Sequence, residues 1–519
     1  MKSKLKAVLQ PELWLIPLAA LVCVDAQAQG AKVTPVKPTA IRKDAGPTID
    51  LSAFLEQVGQ RNGNFRALQS SREAAVARRL QGDLELSPVF TANAQAVDDK
   101  RPQIFGPAFS LTGTKNQEVS LGLSKKFSTG TQASLTGSVS ETTTTLAMAG
   151  APESSTTNAI GGLGLSVSQS LWKDFFGTST DLRRERESLI EKAETQGLDL
   201  QTRQVLIEAE GAFWDHLYLK EEIRQREDSL ARAKRIETWV RNRASNGIGD
   251  RADVLNAQGL VAGRELQLLN SEDELRASEE KIRDLLEMGA AEPLPNLAGN
   301  LEGARSPQAF IDGAIRARGE TADSAAQVVR LDAYLSVLEA RTKAVVAREV
   351  AEGVKPDLVL QGMYKTNSVE DGMSAAFSGV TDPAKPTTMV GVKFTYLLDG
   401  GVKDAARNSA KMESLAAEQR QSRKLMESQT SWEELQRRHA ELTKKIDAAA
   451  KSSTIQTQKA DAERDRLAKG RTITSTVILA EQDAAESQLS LAKMRAEQRK
   501  LESQGRLFIQ ISEQLSEAK

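Results

Sequence analysis

Cysteine and histidine are almost missing from this chain of 519 residues, which contains one cysteine and two histidines. Disulfide frameworks need paired cysteines, and zinc sites are built from several cysteine, histidine or carboxylate ligands. His216 and His439 are far apart in the sequence and each lies inside a helix-forming stretch, so we interpret them as surface or seam residues. No acidic pair indicates general acid–base chemistry. We therefore expect no catalytic residue, no metal site and no cofactor.

Aromatic residues are also scarce, at 4% of the chain, whereas charged residues make up 27%. This composition is typical of long helices that meet along narrow seams rather than of several ordinary cores. The formal net charge of -1 gives no reason to expect a nucleic-acid partner. Beyond the N-terminal segment, no apolar run approaches the roughly 18–20 residues that a membrane helix needs. We expect a protein that is secreted, periplasmic or inserted in a membrane as a β-barrel.

The first 28 residues have the three regions of a secretory signal peptide. Lysines precede an apolar segment at 13–24, and Ala26-Gln-Ala28 matches a cleavage site, so the mature chain is expected to begin near Gln29. Cys23 would be removed with this segment. Its lipidation is the alternative, although Val22 stands where a lipidation motif has a small residue. Residues 29–48 are rich in proline, lysine and threonine and predict a flexible leader.

The most informative feature that is present is an internal repeat. Residues 246–258 match residues 469–481 at one constant offset. The offset aligns identical residues: Gly247 with Gly470, Val254 with Val477, and Ala257 with Ala480. Each copy lies between two long helix-forming stretches, and β-like segments precede each pair of stretches. A repeat of this kind predicts a duplicated structural unit.

Long helices are predicted on both sides of the first glycine turn. Residues 182–246 have a helical pattern without proline, which at 1.5 Å per residue gives a helix of roughly 100 Å. The next helix is expected to run to about Met288 and to be capped by Asp250 or Asp253. Its apolar residues recur at steps of seven: Val254, Val261, Leu268, Leu275 and Ile282. Such a heptad seam predicts side-by-side coiled-coil packing.

Between Val89 and Trp172 the periodicity changes from helical to two, after helices expected over 49–59 and 65–86. Apolar residues alternate with small or polar ones, which gives one apolar and one polar face. A transmembrane β-barrel has this pattern, and so has a soluble sheet with one buried face. The segment has room for up to four strands, with a turn at 128–130 and a loop over 141–157.

The second half repeats this order with fewer strands. The expected elements are helices over 307–318 and 321–353, extended chain over 357–365, a loop over 367–386, a strand over 390–398, a turn at 399–401, a long helix to about Lys469 and a last helix to about Leu515. Only two strands fit in this half.

The two glycine turns supply the candidate site. Helix reversal at Gly247 or Gly470 places four side chains about one turn further on: Asp253 and Asn256 in the first copy, Thr476 and Leu479 in the second. In a closed ring of helices, polar side chains at such a constriction would set ion selectivity. The alternative is that Asp253 only caps its helix, and both interpretations can hold together.

Aromatic residues flank the predicted strands. Trp172, Phe175 and Phe176 follow the first β segment, and Phe394 and Tyr396 lie in the last strand. Barrel proteins place such rings at the interface between lipid and water. Core aromatics under a soluble sheet are the alternative.

Together these features resemble the TolC-like outer-membrane efflux proteins. The resemblance depends on the duplicated order of elements and on three motifs: Gly247-x5-Asp253-Val-Leu-x-Ala-Gln258, the strand ending Ser168-Gln-Ser-Leu-Trp-Lys-Asp-Phe-Phe-Gly177, and the strand ending Tyr396-Leu-Leu-Asp-Gly-Gly401. Each motif is short, but their order and duplication cover nearly the whole mature chain.

The resemblance implies a homotrimer in the outer membrane of a Gram-negative cell, in contact with outer-membrane lipid and extending into the periplasm. Each protomer would contribute strands to one shared barrel, and the long helices would form a periplasmic tunnel. The hairpin tips at Gly247, Gly249, Gly470 and Arg471 would dock a periplasmic adaptor, which links to an inner-membrane pump or ABC transporter. Such a channel does no chemistry.

The sequence departs from the family pattern in two places. Some members carry an aspartate pair at the second tip, where this chain has Thr476 and Leu479, so its entrance would be less acidic. In addition, the first β segment is longer than the usual two strands. If every candidate strand inserts, each protomer contributes six strands. Otherwise the extra hairpin lies outside the membrane.

We therefore predict an α+β membrane protein in which a duplicated unit of strands and a long helical hairpin forms a trimeric β-barrel continuous with an α-helical barrel. The expected organisation is a signal peptide (1–28), a leader (29–48), a first repeat (49–290), a linker (291–306) and a second repeat (307–515). The predicted function is the outer-membrane channel of a tripartite efflux or type I secretion system. The alternatives are a periplasmic adaptor, with one hairpin, and a coiled-coil adhesin.

Overall fold

A computed structural model describes residues 47–106, 109–148, 150, 152–289, 292–317 and 327–511. The predicted signal peptide, Cys23 and the leader up to residue 46 lie outside these ranges. No described helix is long and apolar enough to cross a membrane.

The first half alternates short helices, strands and a long helical hairpin. Its elements in chain order are β1 (Thr48–Ile49), α1 (Leu51–Arg61), α2 (Gly63–Gln81), β2 (Val89–Asp99), β3 (Gln103–Gly106), β4 (Phe109–Lys126), β5 (Thr131–Met148), β6 (Ser154–Ser170), α3 (Thr178–Ser245) and α4 (Arg251–Leu285). Asp50 caps α1 by accepting a hydrogen bond of 2.9 Å from the amide of Ala53, which is a common way to satisfy the first free amides of a helix.

The second half has the same order with shorter β segments. Its elements are β7 (Asn296–Leu297), α5 (Pro307–Ala317), β8 (Gln327–Arg330), α6 (Leu331–Gly353), β9 (Asp357–Lys365), β10 (Ser368–Glu370), α7 (Met373–Ser378), β11 (Thr387–Thr395), α8 (Gly400–Ala468), α9 (Thr474–Gln504) and β12 (Phe508–Ile511). Asp399 caps α8 through the amide of Val402 at 3.1 Å.

The prediction of a loop over 141–157 is wrong. β5 continues to Met148 and β6 begins at Ser154, so most of this segment is paired strand. Its threonines are β-branched and favour extended chain, and their hydroxyl groups meet across the strands, as Thr143 and Thr157 do at 2.9 Å. The expected loop over 367–386 also contains β10 and α7.

Two helix bounds in the second half are also wrong. The helix expected from Thr321 begins at Leu331, after strand β8, while residues 318–326 lie outside the described ranges. The last helix ends at Gln504 and is followed by β12, which pairs with β8. Phe508 of β12 is buried, with its ring 5.0 Å from that of Trp432. This tertiary contact outweighs the helical propensity of the segment.

The helices form one layer in which α3 is central. Near the sheet, α3 is joined to α2 by Arg78–Glu194 (3.0 Å) and to α6 by Arg186–Glu349 (2.7 Å). Further along, α3 packs against α4 and α9, and α8 packs against both α6 and α9. The order across the layer is therefore α2 with α4, then α3, then α6 with α9, then α8. The two edges of the layer are α8 on one side and α2 with α4 on the other.

Apolar clusters mark the middle of the helical layer. One cluster surrounds Phe54, Phe213 and Ile282, close to the parallel pair β1–β7. A second surrounds Ile311, Leu435 and Phe508, at the antiparallel pair β8–β12. The heptad residues of α4 face inward as predicted, since Val261 and Ile282 are buried and Val254, Leu268 and Leu275 are half-buried.

A single antiparallel sheet stands at one end of the helices. Its strands follow the order β11-β9-β6-β5-β4-β2, with β10 and β3 paired beside β6 and β4. Within the described ranges this path has six strands, four from the first half and two from the second. β4 pairs with β5 along its length, with one register shift between Leu111 and Gly113, and β5 pairs with β6 without a shift. The additional hairpin therefore belongs to the sheet and does not lie beside it.

Candidate functional site

Both helical hairpins turn at a glycine in the left-handed conformation, with φ of 78° at Gly247 and 70° at Gly470. The same two backbone hydrogen bonds close each turn: Ile248 N to Arg243 O (3.1 Å) and Gly247 N to Ala244 O (3.0 Å) in the first, Arg471 N to Arg466 O (2.8 Å) and Gly470 N to Leu467 O (2.9 Å) in the second. This is the Schellman arrangement, in which glycine avoids a Cβ clash. The sequence repeat therefore corresponds to a repeat of backbone geometry.

The two tips differ on the side that begins the next helix. Asp250 caps α4 by accepting a hydrogen bond of 3.2 Å from the amide of Ala252. The matching residue in the second copy is Ile473, which has no side-chain oxygen to cap α9. Since Asp250 provides the cap, the alternative role of Asp253 as the capping residue is wrong.

The four candidate constriction residues lie on the first turns of α4 and α9. Asp253 and Thr476 are half-buried, whereas Asn256 is exposed and Leu479 is 61% exposed. The helices that carry them share one apolar cluster, in which Val254 and Ala257 meet Leu467 and Val477. The two tips of the chain therefore lie side by side, and the position of these residues in a pore stays a prediction.

A buried ionic contact lies further along α9 and was not predicted from the sequence. Glu481 is 4% exposed, and its carboxylate accepts a hydrogen bond of 2.8 Å from Arg232 of α3. Arg464 of α8 approaches the other carboxylate oxygen at 2.6 Å. A buried carboxylate needs such partners, and this one joins three helices close to the tips.

The sheet has one apolar and one polar face. The strand register places one set of apolar side chains on the same face of β2, β4, β5, β6, β9 and β11. The set is Phe90, Leu121, Leu123, Leu135, Leu165, Val167, Leu360, Val390 and Val392. These side chains are 41–83% exposed. The opposite face carries mainly serine, threonine, glycine and glutamine. We call the exposed set the apolar belt.

Exposure of this size on an apolar sheet face is uncommon for a protein surrounded by water. It is the pattern of a barrel wall, in which apolar side chains face lipid and polar side chains face a water-filled interior. The six-strand path places this wall directly before the long helices α3 and α8.

The predicted interface aromatics lie where strands end and the long helices begin. Trp172 is 48% exposed, and Phe175 and Phe176 contact each other edge to face at 4.7 Å. At the second junction Tyr396 is 45% exposed, and its hydroxyl accepts a hydrogen bond of 2.6 Å from Lys403. The structure thus brings both groups to the same end of the sheet.

Gly177 fixes the first of these junctions. It has φ of 91°, and a Cβ at this position would clash with the carbonyl oxygen of Ser128 in the β4–β5 turn. The junction can form only with glycine here, because any side chain would push α3 away from the turn.

Several solved structures are similar to most of this chain. The outer membrane protein VceC from Vibrio cholerae matches with a TM-score of 0.61 at 13% identity, covering 87% of this chain and 94% of VceC. The CmeC outer membrane channel of Campylobacter jejuni gives 0.60 at 13% identity, covering 88% and 85%. The open state of the MtrE outer membrane channel of Neisseria gonorrhoeae gives 0.57 at 15% identity, covering 88% of each. The chain has the TolC-like outer-membrane channel fold.

The TolC-like fold confirms the resemblance drawn from the repeat and the motifs. No protein-family model matches the sequence, and a comparison with curated proteins finds no match. The fold is therefore recognised through structure at identities of 12–16%.

Polar groups that could indicate chemistry have structural explanations in this fold. His216 is buried in the seam between α3 and α4, with its Nδ1 3.3 Å from the hydroxyl of Ser278. Burial, and then the charge of Lys220, lowers the pKa of His216 to about 4. Its imidazole is therefore neutral at ordinary pH. Among the described residues, no three metal-ligating side chains are grouped together.

Proposed function

We propose that the chain is the outer-membrane channel of a tripartite efflux or type I secretion system. It acts as a homotrimer and exports small molecules or polypeptides passively through the periplasm and the outer membrane. The observation that carries the proposal is the direct continuation of a sheet with an exposed apolar face into two long hairpins. The similar structures include the CmeC and MtrE outer membrane channels, which supports the same function here.

The edges of the sheet support assembly into a ring. β2 and β11 lie at opposite ends of the strand path, and nearly all of their residues are exposed. Because neighbouring strands alternate in direction, β2 and β11 run in opposite directions. They can therefore pair antiparallel between copies and remove both free edges. Three such sheets of the described six strands would form a barrel of 3 × 6, or eighteen, strands.

The edges of the helical layer support the same ring. At one edge α8 exposes apolar side chains such as Met412, Met426 and Ile455, which are 59–72% exposed. At the other edge α2 exposes Leu80 and α4 exposes Leu266, at 67% and 61%. A head-to-tail contact between α8 of one copy and α2 with α4 of the next would bury both sets. Such heterologous contacts close into rings.

In this assembly the apolar belt faces outer-membrane lipid, and Trp172, Phe175, Phe176 and Tyr396 lie at the periplasmic interface. The hairpin tips at Gly247, Gly249, Gly470 and Arg471 face the periplasm and dock an adaptor protein, which connects the channel to an inner-membrane pump or ABC transporter. Asp253, Asn256, Thr476 and Leu479 line the constriction. Its first copy supplies the only acidic group among these four residues.

The test is to purify the protein from outer membranes and measure its oligomeric state and conductance. We expect a trimer that resists SDS, dissociates on heating and conducts ions in planar bilayers. A monomeric soluble periplasmic protein without conductance would refute the channel. It would instead favour the adaptor, although that class is expected to have one hairpin and this chain has two within its described residues.

A further inference from the structure

A short helix, α7, lies against the apolar face of the sheet and is fastened at both of its ends. The amide of Met373 donates a hydrogen bond of 3.0 Å to the carboxylate of Glu141 on β5. After the helix, the carbonyl of Val380 accepts a hydrogen bond from the hydroxyl of Thr366. The side-chain amide of Asn367 donates a hydrogen bond of 2.9 Å to the carbonyl of Lys385, which joins the two ends of the segment that contains α7. The position of α7 is therefore defined by the sheet itself.

The middle of α7 touches the sheet through small residues. Ala159 of β6 and Ala376 of α7 are fully buried against each other and Val139. A Cβ on Gly161 would clash with the carbonyl oxygen of Ala376. Glycine at this position allows the backbone of α7 to approach β6 closely on one side of the helix.

On its other side α7 stands away from the sheet and leaves an open groove of about 550 Å³. The groove is lined by Val119, Leu121, Gly137, Ser138, Val139, Met373, Ser374, Phe377 and Val380. None of these side chains is charged, and the ring of Phe377 is 72% exposed at the rim. Because α7 is fastened at both ends, the groove does not close by collapse of the helix onto the strands.

The surroundings of the groove determine what can occupy it. β4 and β5 are each paired on both sides along the floor, so no free strand edge is available to bind a peptide by strand addition. Leu121 belongs both to the floor and to the apolar belt, which continues from there to Leu123 and Leu135. The groove therefore opens onto the surface that, under the proposed function, contacts lipid.

We infer that this groove binds one acyl chain of a membrane lipid and holds it against the barrel wall. The inference rests on the proposed function, since only a barrel placed in the membrane presents the groove to lipid. An acyl chain matches a groove whose lining side chains carry no charge, whereas water in it would have few hydrogen-bonding partners. α7 acts as the outer wall of the site.

The experiment places the full-length protein in nanodiscs containing a phosphatidylcholine with a photoreactive group in its acyl chain. After irradiation, mass spectrometry maps the labelled residues. We expect labelling at Met373–Val380 and at the floor to exceed labelling at the open belt residues Leu165 and Val390 several-fold, because a held chain stays in contact longer than a free one.

Two variants and one control make the result specific. Gly137→Leu fills the groove from its floor, where the nearest side-chain atom to a new Cβ is Leu163 Cδ1 at 3.7 Å. Gly362→Leu is the matched control, since it makes the same change on the same face where nothing lies within 4 Å. Phe377→Ser removes an exposed wall of the groove without adding a larger side chain to a strand. Both groove variants should reduce groove labelling several-fold, and the control should leave it unchanged.

The outcomes separate the two proposals. Belt labelling with no excess in the groove, or an excess that survives both groove variants, would overturn lipid binding and leave the channel intact. Absence of labelling at Leu165 and Val390 would instead refute the membrane position of the sheet, and the proposed function with it.

Discussion

Glu481 offers the most direct way to weaken the packing of the helices near the hairpin tips. It joins α9 to α3 through Arg232 at 2.8 Å and to α8 through Arg464 at 2.6 Å. The Arg464 contact is close but lacks hydrogen-bond geometry at Nε, so the Arg232 contact is the stronger of the two. The substitution Glu481→Gln keeps the size of the side chain and removes its charge. It leaves two guanidinium groups without their shared carboxylate.

The expected cost follows from burial. Removing one partner of a buried ion pair costs about 3–5 kcal/mol when the remaining charge stays buried. Here the side chains of Arg232 and Arg464 are 19% and 34% exposed, so water can solvate part of each charge. We therefore expect about 2 kcal/mol of local stability to be lost, since partial exposure weakens ion pairs. At 1.36 kcal/mol per tenfold change, this is roughly a 30-fold rise in local opening.

Hydrogen–deuterium exchange of the assembled protein measures that opening for the amides around Glu481. Glu486→Gln is the matched control, because Glu486 is an exposed carboxylate on the same helix that accepts a hydrogen bond from Gln482. We expect the control to change exchange by less than about 0.5 kcal/mol, as surface substitutions usually do. Equal exchange in Glu481→Gln and the control would refute the claim that the buried carboxylate holds the three helices together.

Three further predictions concern the junction, the tip and the response to acid. Gly177→Ala should reduce the stability of the oligomer by at least about 2 kcal/mol, seen as a lower melting temperature, because a left-handed φ and a backbone clash combine. Gly401→Ala, at the other junction, should be nearly neutral, and equal effects would contradict the geometry. Asp253→Ala should change single-channel conductance or cation preference in planar bilayers, and unchanged values would leave it no role in the pore. His216 binds its proton less readily when folded, with its pKa lowered to about 4, so stability should fall as the pH drops from about 6.5 towards 4. His216→Gln should reduce this loss of stability, measured by thermal unfolding at successive pH values. An unchanged dependence of stability on pH would contradict the role given to His216.

The helical hairpins could be predicted from the sequence because their signals are local. The repeat around Gly247 and Gly470 predicts both turns. The heptad from Val254 to Ile282 predicts the inward face of α4. Alternation also predicts room for four strands in the first half, which correspond to β2, β4, β5 and β6, but it does not predict the short β3. These patterns reflect backbone geometry, and residues that are close in the sequence determine that geometry.

The remaining features depend on contacts between distant residues. The strand after Gln504 exists because Phe508 packs on Trp432 and pairs with β8, which local propensity does not indicate. The segment at 141–157 is rich in threonine, serine, alanine and glycine, a composition that predicts a loop, whereas β5 and β6 pair along most of it. Glu481 is one of many glutamates on charged helices, and no local signal separates it from the solvated ones. Its buried position follows from the meeting of three helices.

In the proposed channel, three copies close one continuous wall, with all six strands of the described sheet path from each copy. Single-particle electron microscopy of the purified protein in nanodiscs tests this directly. We expect a three-fold ring in which β11 of one copy pairs antiparallel with β2 of the next, giving eighteen strands around the pore. A ring in which the hairpin of β4 and β5 lies outside the wall, or an open sheet in a single copy, would contradict the account.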